Sequence, residues 1–478
     1  MLFPSPVFLI GFLPVTLAGF LVINRFACRG AALAWLVAAS LAFYGWWNPW
    51  HLPLLAGSIL VNHAIVGRIR ASACPRRWLV AGLALNLGLL GWFKYADFLL
   101  HIARPAAPSL GIILPLAISF FTFQQVMFLV DAARDPAQPR PALLSYAAFV
   151  TFFPHLIAGP IVRPSEIIPQ LTRDSRFDPD GLTEGLLTFL LGLARKCVLA
   201  DLFGGFADTG FDAAAAGHDL TLFEAWYATL SYALQIYFDF AGYSDMALGL
   251  ARMFGIRFPL NFDSPYQARN ISEFWRRWHI TLGAFLRDYL YIPLGGNRRR
   301  HAVNLMATML LAGLWHGAGW NFVLWGGLHG AMLALHAQYR RLFRPLPARV
   351  GQALTLLAVI LAWVPFRAAT AAASWRMLEG LAGLNGIALP RMIVSAMPPL
   401  AIIADPVSVM PSLGDARTLS FPEITACLAL GWFIVLCLPN IHRMSLAARH
   451  WALTSGFALS VQAVFFAPHV APFLYFRF

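Results

Sequence analysis

The chain has 478 residues, of which 59% are hydrophobic and only 12% charged. Soluble proteins carry roughly 25% charged residues, so a water-facing globule is excluded and a polytopic membrane protein is expected. The formal net charge of +13 is nearly all arginine, Lys94 and Lys196 being the only lysines. In so apolar a chain this surplus reads as basic cytoplasmic loops, with no nucleic-acid binding implied, although an anionic substrate could share that face.

Stretches that meet the ~20-residue spanning criterion recur along the whole length. Hydrophobic helices are predicted near 6–23, 31–47, 52–67, 78–93, 110–130, 143–158, 182–203, 221–238, 240–255, 303–319, 320–339, 351–367, 422–438 and 451–468. No basic residue precedes Pro6–Ile23 and the first charge is Arg25, so this stretch is expected to be a retained anchor, not a cleaved signal peptide. Loops 24–30 and 68–77 are arginine-rich while loop 48–51 between them is not, which puts the N-terminus outside and the basic loops in the cytoplasm. Segments 256–302 and 340–349 are basic as well, and the Pro-rich, nearly uncharged 384–420 is expected on the outer face.

The stretch FFPHLIAGPI, with Pro154 and Pro160 on either side of Gly159, is the best candidate for a re-entrant segment. Such backbone is tolerated only where protein or a water-filled cavity satisfies its polar groups. No internal repeat or heptad pattern is visible, so 1–478 reads as one membrane-embedded domain. Cys28, Cys74, Cys197, Cys427 and Cys437 form no CxxC pair and no Cys/His metal spacing, so neither a disulfide framework nor a metal site is expected.

The run WRRWHITLGAFLRDYL, taken as one helix over Trp275–Leu290, places Trp275, Trp278, His279, Leu282, Phe285, Leu286 and Tyr289 on one face. Arg276, Arg277, Arg287 and Asp288 then lie opposite, the pattern of a helix lying in the membrane interface. The arginines suit snorkelling anchors and substrate binding about equally. His279, on the buried face, taken alone reads as a hydrogen-bonded core histidine. After it, YIPLGGNRRR offers a Gly turn beside three arginines. That could hold a pyrophosphate, but a topology signal beside a transmembrane helix is the favoured reading.

His316 lies in GLWHGAGWNFVLWGGLHG, a stretch too apolar to hold an imidazole idly. A neutral imidazole there can take a proton from a hydroxyl and return it to a leaving group, as acyl transfer requires. Its bland alternative is a helix–helix hydrogen bond. His329 and His336 follow on one face of the next helix and suit packing or pore lining as well as chemistry. LQIYFDFAGYSDMALGL adds Asp239, Tyr243 and Asp245 to membrane-depth sequence, with a nearby arginine such as Arg252, or the histidine site, as candidate carboxylate partners and a structural ion pair expected for at least one.

These motifs together resemble the membrane-bound O-acyltransferase family, in particular the membrane subunits of bacterial alginate O-acetylation. The matching residues are FKYADF at 93–98, FFPHLIAGPIVR at 152–163, QIYFDFAGYSDMALGL at 235–250 and NFDSPYQARNISEFWRRWHITL at 261–282. They continue with LRDYLYIPLGGNRRR at 286–300, the His316 stretch at 313–330 and PFLYFRF at 472–478. Gly283–Ala284–Phe285 departs from the Ser-Thr-Trp-like run usual after the RWHISL-type motif, and GAGW at 317–320 departs from a GANF-like sequence; both bear on the acceptor, not on the histidines.

The resemblance implies an all-α fold, a ring of roughly eleven or more transmembrane and re-entrant helices around a central tunnel. It also implies a place in the bacterial inner membrane. His316 matches the family's catalytic histidine and His279 its second histidine. The implied reaction takes an acetyl group from cytoplasmic acetyl-CoA, a substrate and not a bound cofactor. It passes the group across the membrane toward an exported polysaccharide, with a periplasmic SGNH-type transferase as partner. Trp275, Arg276, Arg277, Asp288, Tyr289, Asp239, Tyr243, Asp245 and Asn321 are the expected substrate contacts, Arg276 and Arg277 toward the CoA phosphates.

Two rivals stand beside this reading. A D-alanyl transferase of teichoic acid synthesis would use a carrier-protein donor. A transporter or flippase would use the same polar residues as a pathway, but such proteins usually show repeats. A soluble-headed phospholipid acyltransferase is disfavoured, since no histidine is followed by Asp at the required spacing.

Overall fold

The computed structural model describes residues 1–173, 178–390, 394, 405–407, 421–445, 447, 449 and 473–474. A π-helical turn, Val7–Phe12, leads into α1 (Leu13–Phe26), and α2 (Arg29–Gly45) returns beside it. α3 (Leu52–Ala71) and α4 (Pro75–Leu90) follow, and α4 runs through a π turn at Gly91–Tyr95 into α5 (Ala96–Ala103). α6 (Ile118–Arg134) packs on α3 and α4. Val7–Phe26, Pro49–Ala71, Pro75–Ala103 and Ala348–Arg367 are, among the described residues, the four helices long and apolar enough to cross a membrane. Their outward faces carry exposed Ile10, Val15, Leu60, Val80 and Leu87, the surface that hydrocarbon would cover.

The middle of the chain is more polar in sequence and more deeply buried. α7 (Leu143–Thr151) and α8 (Phe153–Leu156) are separate, because the backbone turns at Phe152 (ψ 106°) and Pro154, which has no N–H to donate, takes its place in the first turn of α8; the single helix expected over 143–158 is thus two. α9 (Pro164–Thr172) precedes α10 (Pro179–Ala194), a π turn at Arg195–Ala200 and α11 (Asp201–Ala215). α12 (Leu222–Met253) is one unbroken helix of 32 residues where two were expected, and it is buried on nearly all sides. Gly242 does not interrupt it, because that glycine serves close packing. A Cβ at Gly192 would stand 2.6 Å from the carbonyl of Gly242, and one at Gly249 would stand 2.5 Å from that of Gly185. Two glycine pairs, each seven residues apart, therefore let α10 and α12 run antiparallel at backbone contact.

The Trp275–Leu290 helix is also broken. α13 (Ile271–Arg277) stops at Trp278, His279 takes a left-handed φ of +43°, and α14 (Ile280–Leu286) restarts and passes into a π turn at Arg287–Tyr291. A non-glycine residue in this region is costly unless surroundings fix it. Here Ile280 N–H donates to the Asn261 carbonyl (2.9 Å) and Thr281 N–H to Asn261 Oδ1 (3.3 Å).

α15 (His301–His316) and α16 (Trp320–Leu342) form a hairpin, and α17 (Ala348–Arg367) and α18 (Ala371–Leu381) follow. The stretch 384–420 holds one exception to an all-helical fold among the described residues: β1 (Ala388–Pro390) pairs in parallel with β2 (Asp405–Val407), Ala388 opposite Asp405. α19 (Phe421–Cys437) is the last long helix described. The helix expected at 451–468 lies outside the described residues.

Candidate active site

His316 is the last residue of α15, before the extended Gly317. It is 4% exposed and ringed by aromatics: Trp315 at 4.8 Å between ring centres, Trp325 at 5.1 Å and Phe366 at 5.2 Å, the last two edge to face. The helix hairpin delivers this cage because α15 and α16 touch through glycines. A Cβ at Gly313 would lie 2.1 Å from the Phe322 carbonyl, and one at Gly326 would lie 2.2 Å from that of Met309. Trp325 is buried one residue before Gly326.

The end of α15 is capped from far away in sequence. A helix leaves its last carbonyls without intrahelical partners. Lys94 Nζ donates to the carbonyls of Trp315 (2.5 Å) and His316 (3.4 Å), and Tyr95 OH donates to that of Leu314 (2.9 Å). Both donors come from the π turn Gly91–Tyr95, and a cation at a helix C-terminus also meets the dipole favourably. Lys94, Trp315 and His316 line one cavity of about 150 Å³ together with Trp47 and Pro115–Phe120.

His279 packs against Trp315 as well, 6.4 Å between ring centres, with Phe240 edge-on at 4.6 Å. Its Nδ1 is 3.1 Å from Asn261 Oδ1. The backbone N–H of Thr281 can only donate, so the Asn261 atom it meets is the oxygen, and Asn261 Nδ2 is left to donate to Ser244 Oγ (3.0 Å). His279 Nδ1 therefore carries the proton and Nε2 the lone pair. That Nε2 is buried and has no hydrogen-bond partner among the described residues. The site thus holds a second imidazole with a fixed tautomer and an open acceptor.

The other expected contacts divide into groups. Trp275 Nε1 donates to His329 Nδ1 (3.3 Å), and its ring meets Trp325, so it backs the cage. Asn321 Nδ2 donates to the Ala368 carbonyl (2.8 Å) and lines a separate cavity of about 500 Å³ with Trp320, Phe366 and Arg367. Arg276 is exposed and donates to Ser272 Oγ (3.2 Å), and Arg277 is paired with Glu273 at 2.7 Å.

Asp288 binds Arg287 (2.6 Å) and Arg163, whose donors hold its carboxyl below the usual carboxylate range. Tyr289 OH donates to both oxygens of Asp131 at 2.8 Å. These two lie on the arginine-rich side, with Arg163, Arg134 and Arg287 around them.

Asp239 and Asp245 are both ion-paired, Asp245 with an arginine as expected, though not Arg252, and Asp239 with a lysine. Lys196 reaches Asp239 at 2.8 Å and Asp201 at 2.6 Å, while Arg195 reaches Asp245 at 2.6 Å and His442 meets it at 2.7 Å. Arg252 pairs instead with Asp178 and Glu184, both at 2.9 Å. The reason is the π turn after α10, which aims two successive cations at α12. Tyr243 is stacked between Phe3 (4.9 Å) and Phe473 (4.6 Å) and faces no open site. Asn261, Lys94 and Tyr95 were not foreseen as site residues. Their one signal was membership in the FKYADF and NFDSPYQ stretches, which carries no direction without the fold.

A buried histidine at a capped helix end, with a second oriented imidazole packed on the same Trp315 inside a multi-pass helical membrane protein, is an arrangement that suits acyl transfer. The comparisons agree. Residues 92–366 match the model of the MBOAT, membrane-bound O-acyltransferase family, so the chain belongs to that family and is an O-acyltransferase of the bacterial inner membrane. It is 39% identical over its whole length, and 98% of the relative's, to a peptidoglycan O-acetyltransferase of Helicobacter pylori. It is 40% identical over 80% of its length, and 75% of the relative's, to the protein named probable alginate O-acetylase AlgI of Pseudomonas aeruginosa. A teichoic acid D-alanyltransferase of Streptococcus thermophilus is 30% identical over 47% of this chain and 57% of its own length.

Proposed function

We propose that this enzyme moves an acetyl group from cytoplasmic acetyl-CoA across the membrane to an exported glycan. The observation that carries the reading is His316, enclosed by Trp315, Trp325 and Phe366 at the end of α15 and bordering a cavity it shares with Lys94. His316 is the base that takes the acceptor's hydroxyl proton as the oxygen attacks the thioester carbonyl; the C–S bond breaks and the CoA thiolate leaves with that proton. In the covalent variant the imidazole first displaces the thiolate, and the acceptor hydroxyl then takes the acetyl group from it. His279, with its lone pair on Nε2, orients or accepts a proton from the group that follows. The ring of eleven or more helices around a tunnel is the architecture this transfer needs, with donor entry on the arginine-rich face near Asp288 and Tyr289.

The names of the relatives supply two acceptors, peptidoglycan and alginate, and the first belongs to a relative matched over the whole chain. A periplasmic SGNH-type transferase is the partner proposed to complete delivery. The test is acetyl transfer by the purified full chain in proteoliposomes loaded with labelled acetyl-CoA. His316→Ala must lose the label while keeping its elution profile and thermal transition; retained transfer sinks the assignment. Acceptance of a D-alanyl carrier with no use of acetyl-CoA would move the enzyme to the teichoic acid branch.

A further inference from the structure

We propose that the arginine-rich face carries a binding site for the phosphate headgroup of an anionic phospholipid, built from Arg70 and Arg140. Arg70 stands near the end of α3, and Arg140 is on the connection between α6 and α7. Both line a cavity of about 570 Å³ and a second one of about 640 Å³. Close packing seats the Arg140 guanidinium against α3. Gly67, one turn before Arg70, has no side chain, and a Cβ there would stand 2.3 Å from Arg140 Nη1.

Positive charge here exceeds what the protein neutralises. Arg70 Nε and Nη1 are buried with no acceptor among the described residues, and no ion pair engages Arg140 among them. Arg68 adds a third cation to the second cavity and lies over the Trp78 ring at 5.7 Å. Asp131 and Asp135 are the acidic groups nearby. Asp131 is already engaged by Tyr289 OH and Arg134, and Asp135 acts on Arg70 without a hydrogen bond to it. Two forked guanidinium groups around one space suit the oxygens of a phosphate, which they bind in charge-assisted pairs.

The rest of the wall selects an amphiphile. Phe128, Ala132, Pro164, Ile168 and Pro169 line the larger cavity beside the arginines. A soluble anion has no use for that apolar half, whereas an acyl chain below a phosphate head would cover it. Basic pockets between helices on the cytoplasmic side are a recurrent solution for anionic lipids.

The experiment uses the full-length protein in nanodiscs of phosphatidylcholine, with and without phosphatidylglycerol, read by native mass spectrometry and by thermal unfolding. Phosphatidylglycerol is expected to remain bound and to raise the transition by several degrees. Arg70→Gln with Arg140→Gln should weaken retention by about tenfold or more. Gly67→Leu should weaken it with both arginines still present, because it displaces Arg140. Equal retention by wild type and the Arg70→Gln/Arg140→Gln variant would overturn the proposal. So would the same stabilisation produced in phosphatidylcholine by inorganic phosphate or adenosine 3′,5′-bisphosphate alone.

Discussion

Lys94 donates from its ammonium to the main-chain carbonyl of Trp315, 221 residues further on, at 2.5 Å, and reaches the carbonyl of His316 as well. One side chain thereby fixes the end of the helix that presents the candidate base. Lys94→Met should reduce turnover by about 100-fold, since a misplacement near 1 Å costs that much. Michaelis constants should change little. Lys94→Arg, which keeps donors and charge, should recover part of the loss. A loss residing wholly in the Michaelis constant would instead make Lys94 a substrate contact.

Asn261 has the corresponding role for His279. Asn261→Leu removes the acceptor of the Nδ1–H and of Thr281 N–H, both buried. It should cost about 1–3 kcal/mol of stability from the unpaired donors, along with activity. Asn261→Asp keeps an acceptor at the same place, so it should retain more activity than Asn261→Leu. Melting temperature and turnover measured on the two variants check the order.

Lys196 is 3% exposed and lies between Asp239 and Asp201. Lys196→Met leaves buried carboxylates uncompensated, which typically costs about 3–5 kcal/mol. Adding Asp239→Asn should restore a share, because the amide oxygen still accepts from Leu474 N–H. Thermal unfolding in detergent of the single and double variants reads the coupling; additive losses would contradict it.

Gly313 is where α15 meets α16. Gly313→Ala places its Cβ 2.1 Å from the Phe322 carbonyl, so the helices must part. Overpacking of this kind costs about 1–3 kcal/mol, and it should also move His316 in its cage. Activity should fall more than stability accounts for. Gly327→Ala, whose Cβ meets only Leu310 Cδ2 at 3.6 Å, is the matched control and should be near neutral.

Some of this was legible before any fold was known. Hydropathy and arginine bias made the chain a multi-pass membrane protein, and an imidazole in apolar sequence made His316 conspicuous. The long apolar helices Val7–Phe26, Pro49–Ala71, Pro75–Ala103 and Ala348–Arg367 followed from local pattern, because a lipid-facing helix is apolar by its own composition. Periodicity failed at Trp275–Leu290, where a 100° wheel assumes an unbroken helix and the break at His279 depends on hydrogen bonds that Ile280 N–H and Thr281 N–H donate to Asn261. It failed also at α12, where two helices were expected over 221–238 and 240–255 but the chain runs unbroken through Asp239, whose carboxylate is held by Lys196.

What the sequence by itself determined is therefore composition-limited: solvent, approximate spans and the residue types able to do chemistry. Which residues meet was decided by tertiary structure. Lys94 at the end of α15, Asn261 on His279 and Lys196 on Asp239 are pairs whose partners are chosen by helix packing. The physical reason is that a carbonyl or carboxylate in a dry interior takes whatever donor the fold brings within 3 Å, and no local pattern records which one that will be.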